Sequence, residues 1–344
     1  MADLALPRPR PLGWTRLAVP LELATLTLLL AFAARLRWLR LDTYTGSFDE
    51  GIRSQQLLLM SAGYRPFRDI FSSQGPLLLD LLYPSFVLFG QNLQAARAGV
   101  AIFSMIGLVG AWLTARAIAG PVAGTAAVGI LLLSPGYLEG SRLALAEVPT
   151  IAPALLAIAA LLAYRHGGDR RWLVASAGLC ALALLIKPMV IHVGAPLLVL
   201  LVFCGGRRAY YHALIDLALY GAVVGLLCAA TVLALGPGEV WENLGAYRAG
   251  AGHGVGSDAV MNLRLTANVI AHERIGFLAL AAGGLVLGLW RRPVETAAVG
   301  LWGLAVLGFF ALYGDLADKH IVYLVPPLAL LGAIGVGLTI ALVR

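Results

Sequence analysis

The stretch of sequence that decides the fold is WLVASAGLCALALLIKPMVIHVGAPLLVLLVFC, residues 172–204. Its only Asp, Glu, Lys or Arg residue is Lys187, which is followed by Pro188. A helix that crosses the bilayer core takes about 20 apolar residues, so the stretch is long enough for two short crossings. Proline cannot continue a helix in the ordinary way, and here it lies at the middle of the stretch. The pattern therefore predicts two antiparallel membrane helices with a lysine at their turn.

The composition of the whole chain is typical of an integral membrane protein. Hydrophobic residues make up 60% of the 344 residues, charged residues make up 12%, and the mean hydropathy is +0.85. Soluble domains carry about 25% charged residues, so lipid must solvate most of this surface. The net charge of +7 does not indicate nucleic-acid binding, because the basic residues lie in short clusters between apolar runs. Cys180, Cys204 and Cys228 lie within apolar runs and have neither disulfide nor metal-ligand spacing.

Hydropathy along the chain predicts an all-α polytopic protein with about ten transmembrane helices in a single domain, residues 1–344. The predicted spans are residues 17–36, 98–118, 121–138, 148–164, 172–186, 189–204, 213–235, 275–290, 294–312 and 322–343.

Short basic connections between the spans predict the orientation of the chain. With Arg8, Arg10 and Arg16 in the cytoplasm, ten spans place the clusters Arg165–Arg171, Arg207–Arg208 and Arg291–Arg292 on the cytoplasmic side as well. Of the 18 acidic residues, 13 then fall on the outer side. We therefore expect a multi-pass protein of the plasma (inner) membrane whose polar chemistry faces away from the cytoplasm.

One apolar segment, residues 76–89, does not fit as a span. It is only about 14 residues long, and counting it would reverse the side of every later basic connection. We interpret it as an interfacial helix in a first extracytoplasmic loop, residues 37–97, with a second interfacial helix over Ile52–Ala62. The other predicted outer segments are residues 139–147, 236–274 and 313–321.

Asp49 and Glu50 are adjacent acids that follow the first span. Two carboxylates at a membrane surface suit a general base, a cation ligand or both. The alternative is that they are solvated loop acids or charges at a helix start. Glu147 lies at the edge of an apolar run, where it either faces a wet cavity or favours the N-terminus of a helix.

The chain contains two lysines, Lys187 and Lys319, and both are predicted to lie on the outer side. Lys187 is suited to bind an anionic group such as a phosphate, or it is a turn lysine that extends to the interface. Next to Lys319 lies His320, which could orient a phosphate or titrate near neutral pH. The glycine-rich segment 250–257 matches no phosphate-loop pattern, so it predicts only an outer loop.

Five short motifs, in this order, resemble those of the C-type-fold (GT-C) membrane glycosyltransferases. The closest resemblance is to the protein-mannosyltransferase and aminoarabinose-transferase group with its RgtABCD-like relatives. The motifs are Asp49-Glu50, the segment from Gln74-Gly75-Pro76-Leu77 to Gly90 with Arg97 after it, Arg142 to Glu147, Lys187-Pro188, and His320-Ile-Val-Tyr323-Leu-Val-Pro326.

The resemblance implies that a polyprenyl-phosphate-linked sugar is the donor and that the sugar is transferred with inversion. It implies that Asp49 is the general base and that Lys187 stabilises the leaving phosphate. Arg53, Arg142 and His320 would be further phosphate contacts. Glu50 and Glu147 would be supporting acids or cation ligands, and Asp49 with Glu147 could hold a divalent cation, Mg or Mn. It leaves open which sugar is moved, and whether the acceptor is a lipid, a glycan or a protein.

This sequence also departs from the family pattern. Gln74 stands where some relatives have lysine, and relatives are usually longer, so the chain resembles a minimal or C-terminally shortened member. Two other functions stay open from the residues alone. One is a transporter or lipid flippase, which would need mid-membrane ionisable groups and usually an inverted repeat. The other is a non-catalytic assembly subunit.

Overall fold

A computed structural model describes residues 18–43, 47–203, 210–250, 259–272, 275–314 and 316–343. Within these ranges the chain is helical and forms no β-strand, apart from one isolated bridge between Pro66 and Ile70. The prediction of an all-α membrane fold is confirmed, and it follows from the need to satisfy backbone groups internally in lipid. Cys204, the N-terminal arginines, Arg207–Arg208 and most of segment 250–257 lie outside the described residues.

Sixteen α-helices, two 3₁₀-helices and a π-helix make up the described part of the chain. The α-helices are α1 Ala18–Trp38, α2 Phe48–Ser61, α3 Leu78–Phe89, α4 Leu93–Ala119, α5 Pro121–Leu133, α6 Pro135–Gly140, α7 Glu147–Gly167, α8 Arg170–Ile186, α9 Gly194–Val202, α10 Tyr210–Leu235, α11 Pro237–Val240, α12 Tyr247–Gly250, α13 Ala259–His272, α14 Ile275–Arg291, α15 Pro293–Leu312 and α16 Val325–Val343. The 3₁₀-helices are Pro188–Val193 and Asp318–Leu324, and the π-helix is Trp241–Ala246.

All ten predicted spans coincide with helical segments, so the prediction of about ten transmembrane helices is confirmed. Six helices (α1, α4, α7, α10, α15, and α16 with its preceding 3₁₀-helix) are long and apolar enough to cross a membrane on their own. A seventh is added if the bent pair α13 and α14 counts as one span. The remaining spans are short: α5 is followed by α6, α8 has 17 residues, and α9 follows a 3₁₀-helix.

Two spans begin differently from the prediction. The spans predicted to start at residues 189 and 322 start as 3₁₀-helices, Pro188–Val193 and Asp318–Leu324, and become α-helical only at Gly194 and Val325. Proline at position 188 lacks the N–H that a continuous α-helix would use, and the tighter helix is common at helix starts. Both 3₁₀-helices lie at the end of the bundle where the polar residues gather.

The predicted first outer segment, residues 37–97, forms helices at both places where interfacial helices are predicted. α2 begins at Phe48, four residues before the predicted start at Ile52, so that Asp49 and Glu50 lie in its first turn. Acidic side chains favour this position because they face the positive end of the helix dipole. α3 matches the segment predicted over residues 76–89 and packs its buried side chains, among them Leu82 and Phe86, against α4.

Small residues bring the membrane helices close together. A Cβ atom at Gly335 of α16 would lie 2.7 Å from the Cα atom of Gly284 of α14, so only glycine allows this crossing. A Cβ atom at Gly110 of α4 would lie 2.9 Å from Leu155 of α7. Close approach at small residues is the usual basis of helix association in membranes, where apolar surface alone gives little driving force.

Ion pairs fix which helix ends share one side of the bundle. Arg116 in the last turn of α4 contacts Glu22 near the start of α1 at 2.7 Å. Arg165, at the end of α7, contacts Glu295 in the first turn of α15 at 3.5 Å. We call this side the basic end. Glu147 begins α7 and Lys187 follows α8, so both lie at the opposite side, which we call the site end.

Candidate active site

A buried ion pair lies at the centre of the site end. Lys187 Nζ donates to Glu147 Oε1 at 2.5 Å, and each side chain is 4% exposed. Glu147 is the first residue of α7, and Lys187 follows α8 with an extended backbone before Pro188 starts the next turn. Burial lowers the pKa of Lys187, and the charge and hydrogen bond of Glu147 act in the opposite direction. The two residues that the sequence predicted separately are therefore direct partners.

The segment Gly75–Leu77 positions Lys187. The N–H groups of Gly75 and Leu77 donate to the carbonyls of Ile186 and Leu185, at 3.1 and 3.0 Å. These carbonyls belong to the last turn of α8, where no helical partner exists. A Cβ atom at Gly75 would overlap the Leu185 carbonyl, so glycine is needed for this approach. The Gln74–Leu77 motif thus holds the backbone on which Lys187 stands.

We expect Gly75→Ala to move Lys187 and so to weaken binding of a phosphate-linked donor, the ligand that the motif resemblance predicts for Lys187. Overpacking of this kind costs about 1–3 kcal/mol of stability, and the displaced ammonium should raise the donor KM about tenfold with a smaller change in kcat. Donor titration together with thermal unfolding would measure both effects. Gly194→Ala is the matched control, since no atom lies within 4 Å of a Cβ atom there. A Gly75→Ala protein with an unchanged KM would contradict the positioning role.

His320 lies beside this pair. Its Nε2 atom is 3.7 Å from Glu147 Oε1, which is too long for a hydrogen bond. Its Nδ1 atom accepts a hydrogen bond from the Ala317 N–H at 3.1 Å, so the neutral ring carries its proton on Nε2. The histidine therefore presents an N–H donor toward the Glu147 carboxylate.

A second acid–lysine pair lies nearer the surface. Lys319 Nζ contacts Asp49 Oδ2, and each side chain is 33% exposed. The chain neighbour of Lys319 is His320, which joins this pair to Glu147. Asp49 is thus the acid of the site that an incoming molecule can reach, whereas Glu147 is enclosed. Sequence analysis predicts no role for Lys319, although it is one of only two lysines in the chain.

Arg53 lies one helical turn after Asp49 on α2 and is buried. The charges of Asp49 and Glu147 raise its pKa, while burial lowers it more strongly. One of its nitrogens donates to the Gln56 side chain. Arg53 therefore adds a further positive charge to the electrostatic surroundings of both acid–lysine pairs.

Glu50 does not join this cluster as the predicted supporting acid or cation ligand. Both of its oxygens accept hydrogen bonds from Arg97, at 2.8 and 2.7 Å, and Oε1 also accepts from the Ala144 N–H at 2.7 Å. Arg97 also donates to the carbonyls of Leu41 and Thr43. The buried pair fixes α2 against α4 and so sets the position of Asp49. Arginine within the apolar start of α4 was the signal in the sequence for this role.

Arg142 is also placed differently from the prediction. Its Nη2 atom donates to the carbonyls of Leu39 and Arg40, at 2.5 and 3.0 Å, directly after α1. Its hydrogen bonds within the described residues therefore go to the end of α1 and not to Glu147 or Lys187. Its predicted phosphate contact at the Lys187 site gains no support from this geometry.

The two residues predicted to hold Mg or Mn are each paired with a lysine in this structure. Asp49 and Glu147 each face a lysine ammonium, which occupies the position that a cation would take. In the part of the chain that the structure describes, no three His, Cys, Asp or Glu side chains converge as metal ligands. In proteins Mg²⁺ often takes only one or two carboxylates, with water and substrate phosphate as its other ligands, so the Mg or Mn site predicted at Asp49 and Glu147 stays a prediction.

A cleft of about 700 Å³ lies along the other face of α2. Phe48, Ile52, Gln55 and Leu59 line it from α2, and Phe71 lines it from the following segment. Phe48 is 82% exposed, so this wall is open.

A distant segment supports the side of the cleft at Phe71. Asn243 Oδ1 accepts from the Ser72 N–H at 2.8 Å, and Asn243 Nδ2 donates to the Phe67 carbonyl at 3.0 Å. The predicted outer segment 236–274 therefore packs on the first outer segment. No sequence pattern predicted this contact, because the partners are more than 170 residues apart.

Comparisons with known proteins agree with this architecture. Residues 73–234 match the sequence model of the dolichyl-phosphate-mannose-protein mannosyltransferase family. A comparison with curated protein sequences finds no match.

Solved structures of similar fold span nearly the whole chain. ArnT from Cupriavidus metallidurans bound to undecaprenyl phosphate matches with a TM-score of 0.62 and 18% identity over 92% of this chain and 59% of ArnT. Its apo state matches with a TM-score of 0.67. The archaeal oligosaccharyltransferase AglB from Archaeoglobus fulgidus, in complex with an inhibitory peptide and a dolichol-phosphate, matches with a TM-score of 0.63 and 16% identity over 95% of this chain and 51% of AglB.

The chain thus spans between half and three fifths of the length of these structures. The family match and the shared fold confirm the resemblance found in the sequence motifs. The chain therefore has the fold of these membrane glycosyltransferases, and its residues 73–234 are similar to the dolichyl-phosphate-mannose-protein mannosyltransferase family.

Proposed function

We propose that the chain is an inverting glycosyltransferase that takes a sugar from a polyprenyl-phosphate donor. The observation that carries this proposal is the buried Lys187–Glu147 pair with Asp49, Lys319 and Arg53 beside it. Three full positive charges there face two carboxylates, which leaves one positive charge for a singly charged phosphodiester. ArnT and AglB, which share the fold, were solved with undecaprenyl phosphate and a dolichol-phosphate.

In this proposal Lys187 stabilises the leaving group. As the bond between the anomeric carbon and the phosphate oxygen breaks, the electron pair and a second negative charge move onto the phosphate. An ammonium fixed in a site that excludes water stabilises such charge more strongly than one in solution. Glu147 holds Lys187 in place, and Arg53 and the Nε2–H of His320 can donate to the remaining phosphate oxygens.

Asp49 is the proposed general base. It takes the proton of the acceptor hydroxyl while the acceptor oxygen attacks the anomeric carbon from the side opposite the phosphate, which inverts the configuration. The proton stays on the carboxylate until water accepts it. Asp49 is suited to this step because it is one-third exposed, next to the buried cations. The open cleft on the other face of α2 includes Phe48, the chain neighbour of Asp49, and provides room beside the base for a large second substrate, whether lipid, glycan or protein.

The site end is proposed to face away from the cytoplasm in the plasma (inner) membrane. The short Arg-rich connections lie at the basic end, as Arg165, Arg170 and Arg291 show, and such connections favour the cytoplasm. A transporter or flippase is less well supported, because the acid–lysine pairs lie at one end of the helices rather than near the bilayer midplane.

The direct test is a transfer assay with the purified full chain. Polyprenyl-phosphate sugars (mannose, glucose, arabinose and aminoarabinose) are each incubated with candidate lipid, glycan and peptide acceptors, and products are identified by mass spectrometry. Release of polyprenyl phosphate with a glycosylated acceptor of inverted configuration is expected for one donor. Retained configuration would contradict the mechanism, and lipid movement across a vesicle without any product would favour the flippase.

A chelator is expected to leave this transfer unchanged. Because Asp49 and Glu147 each face a lysine, the proposed chemistry uses ammonium groups where a divalent cation would otherwise act. The transfer rate in excess EDTA should stay within about twofold of the rate in Mg or Mn, since no metal-bound charge is lost. A large loss in EDTA that added Mg or Mn restores would instead support the cation predicted from the resemblance.

A further inference from the structure

The end of α1 at the site end carries an unusual concentration of arginines. Arg35, Arg37 and Arg40 lie within six residues, and Arg142 donates to the carbonyls of Leu39 and Arg40. We call Arg35, Arg37, Arg40 and Arg142 the α1 arginine cluster. If this end faces away from the cytoplasm, the cluster lies where arginines next to a span are normally avoided.

Arg37 is fully buried within this cluster, with 0% exposure. Its Nε atom donates to Ser104 Oγ at 2.6 Å, its Nη1 atom donates to the Ala33 carbonyl at 3.1 Å, and its guanidinium lies 5.7 Å from the ring centre of Tyr137. Its Nη2 atom is buried and has no hydrogen-bond partner among the described residues, and the same holds for Nε of Arg142.

Two other arginines of the bundle have carboxylate partners, which Arg37 lacks among the described residues. Arg97 and Arg116 contact Glu50 and Glu22, each at 2.7 Å. In the part of the chain that the structure describes, no carboxylate lies within ion-pair distance of Arg37 or of the rest of the cluster. A buried charge without a counter-ion is unfavourable, and in membranes it usually marks a functional contact.

The dipole of α1 explains only part of this arrangement. The C-terminus of a helix acts as about half a negative charge, which favours Arg35 and Arg37 in the last turn. Half a charge does not balance four guanidinium groups. Asp42, the next acid along the chain, is exposed and forms no ion pair within the described residues. The end of α1 therefore carries an excess of positive charge.

We propose that the α1 arginine cluster binds the phosphate of an anionic lipid headgroup. Arg37 is the second-to-last residue of α1, and the next residue, Trp38, is 43% exposed, as is typical of the membrane interface where headgroup phosphates lie. Arg35 and Arg40 are exposed and can contact the phosphate directly, since guanidinium groups bind phosphate oxygens in pairs. The buried charge of Arg37 lies in a low-dielectric surrounding that screens it weakly, so it strengthens the attraction.

Such a lipid would complete the packing of α1. Most of α1 is exposed, with Leu21 and Leu28 at 68% and 72%, and Glu22 ties its other end to Arg116. A headgroup at the cluster would hold the site end of α1 against α4 in the same way. This inference does not depend on the proposed transferase activity.

Lipid binding can be measured on the purified full chain by native mass spectrometry and by thermal unfolding. The probes are phosphatidylglycerol, phosphatidylcholine and inorganic phosphate. The variants are Arg40→Gln, Arg37→Gln and the two together, with Arg171→Gln as control, an exposed arginine at the start of α8 and the basic end. Because Arg40 is exposed, Arg40→Gln keeps the test informative even if the Arg37 variants do not fold.

We expect retention of phosphatidylglycerol and stabilisation by it, with much weaker effects of phosphatidylcholine and inorganic phosphate. Arg40→Gln should weaken phosphatidylglycerol binding about fivefold and the double variant at least about tenfold, because each basic residue near an anionic headgroup contributes to the attraction. Arg171→Gln should change it less than about twofold. Equal phosphatidylglycerol binding by wild type and Arg40→Gln would overturn the proposal. So would equal binding of phosphatidylcholine, or equal stabilisation by inorganic phosphate.

Discussion

Asp49→Asn is expected to abolish sugar transfer while the protein still folds. The amide keeps the size of the carboxylate and a hydrogen-bonding oxygen near Lys319, but it cannot accept the proton of the acceptor hydroxyl. Loss of a general base lowers a rate about 10²–10⁴-fold. Single-turnover transfer from a preloaded polyprenyl-phosphate donor measures this step separately from donor binding.

The location of Asp49 makes this variant informative. Its side chain is one-third exposed and its partner Lys319 is equally exposed, so neutralising it leaves no enclosed charge unpaired. Stability should change by less than about 1 kcal/mol, as for other exposed ion pairs. Asp42→Asn is the matched control, since it removes an exposed acid of the same segment that forms no ion pair within the described residues. Transfer by Asp49→Asn at the wild-type rate would rule out the proposed base.

Much of the fold could be predicted because lipid restricts the solutions. Backbone groups in a bilayer must bond within each segment, so apolar runs become helices and basic connections mark one side. The parity of the basic clusters removed residues 76–89 from the predicted spans, and the structure has a short separate helix there, α3 at Leu78–Phe89, whose interfacial position stays a prediction. The start of α2 was missed by four residues because the helix begins with acids, which hydropathy alone does not recognise as helical.

The candidate site was predicted less completely, because charged residues choose partners across long sequence distances. The sequence singled out Lys187 and Glu147 separately, but their pairing spans 40 residues and depends on the meeting of α7 and α8. Glu50 was identified as an acid and not as the partner of Arg97, 47 residues away. Such pairs need the tertiary arrangement of the helices, which local patterns do not contain.

The role of Gly75 shows a second limit. Motif order identified Gln74–Leu77, but its contacts to the carbonyls of Leu185 and Ile186 could not be read from it. Only the close approach of two backbones explains why glycine stands at that position. Where a loop packs on the C-terminus of a helix, a sequence motif can indicate that the loop is important, but it does not indicate which helix the loop contacts.

Removing Lys187 alone is expected to lower both the transfer rate and the folding stability, because Glu147 would be left as a buried charge without a partner. Breaking one partner of a buried pair costs about 3–5 kcal/mol of folding stability, and both side chains here are 4% exposed. Lys187→Met and Glu147→Gln should therefore each lower stability strongly. A low transfer rate in either single variant would therefore have two possible causes. One is the loss of the charge that stabilises the leaving phosphate, and the other is a loss of folded protein.

The double variant Lys187→Met with Glu147→Gln separates these effects. Replacing both members of a buried pair by neutral side chains of similar size is often neutral or stabilising, so unfolding should return close to the wild-type temperature. Transfer should remain at least about 10²-fold below wild type, since the charge that stabilises the departing polyprenyl phosphate is absent. Thermal unfolding in the same detergent, donor affinity and single-turnover transfer would be measured for all four proteins.

Two outcomes of this comparison of four proteins would distinguish a catalytic role of Lys187 from a structural one. A double variant that is stable but inactive assigns the ammonium of Lys187 to the reaction, because its structural contribution has been restored without its charge. Recovery of transfer together with stability would show that the pair only holds α7 and α8 together at the site end. In that case the phosphate would have to be stabilised by Arg53 and Lys319 instead, the two remaining fully charged groups beside Asp49.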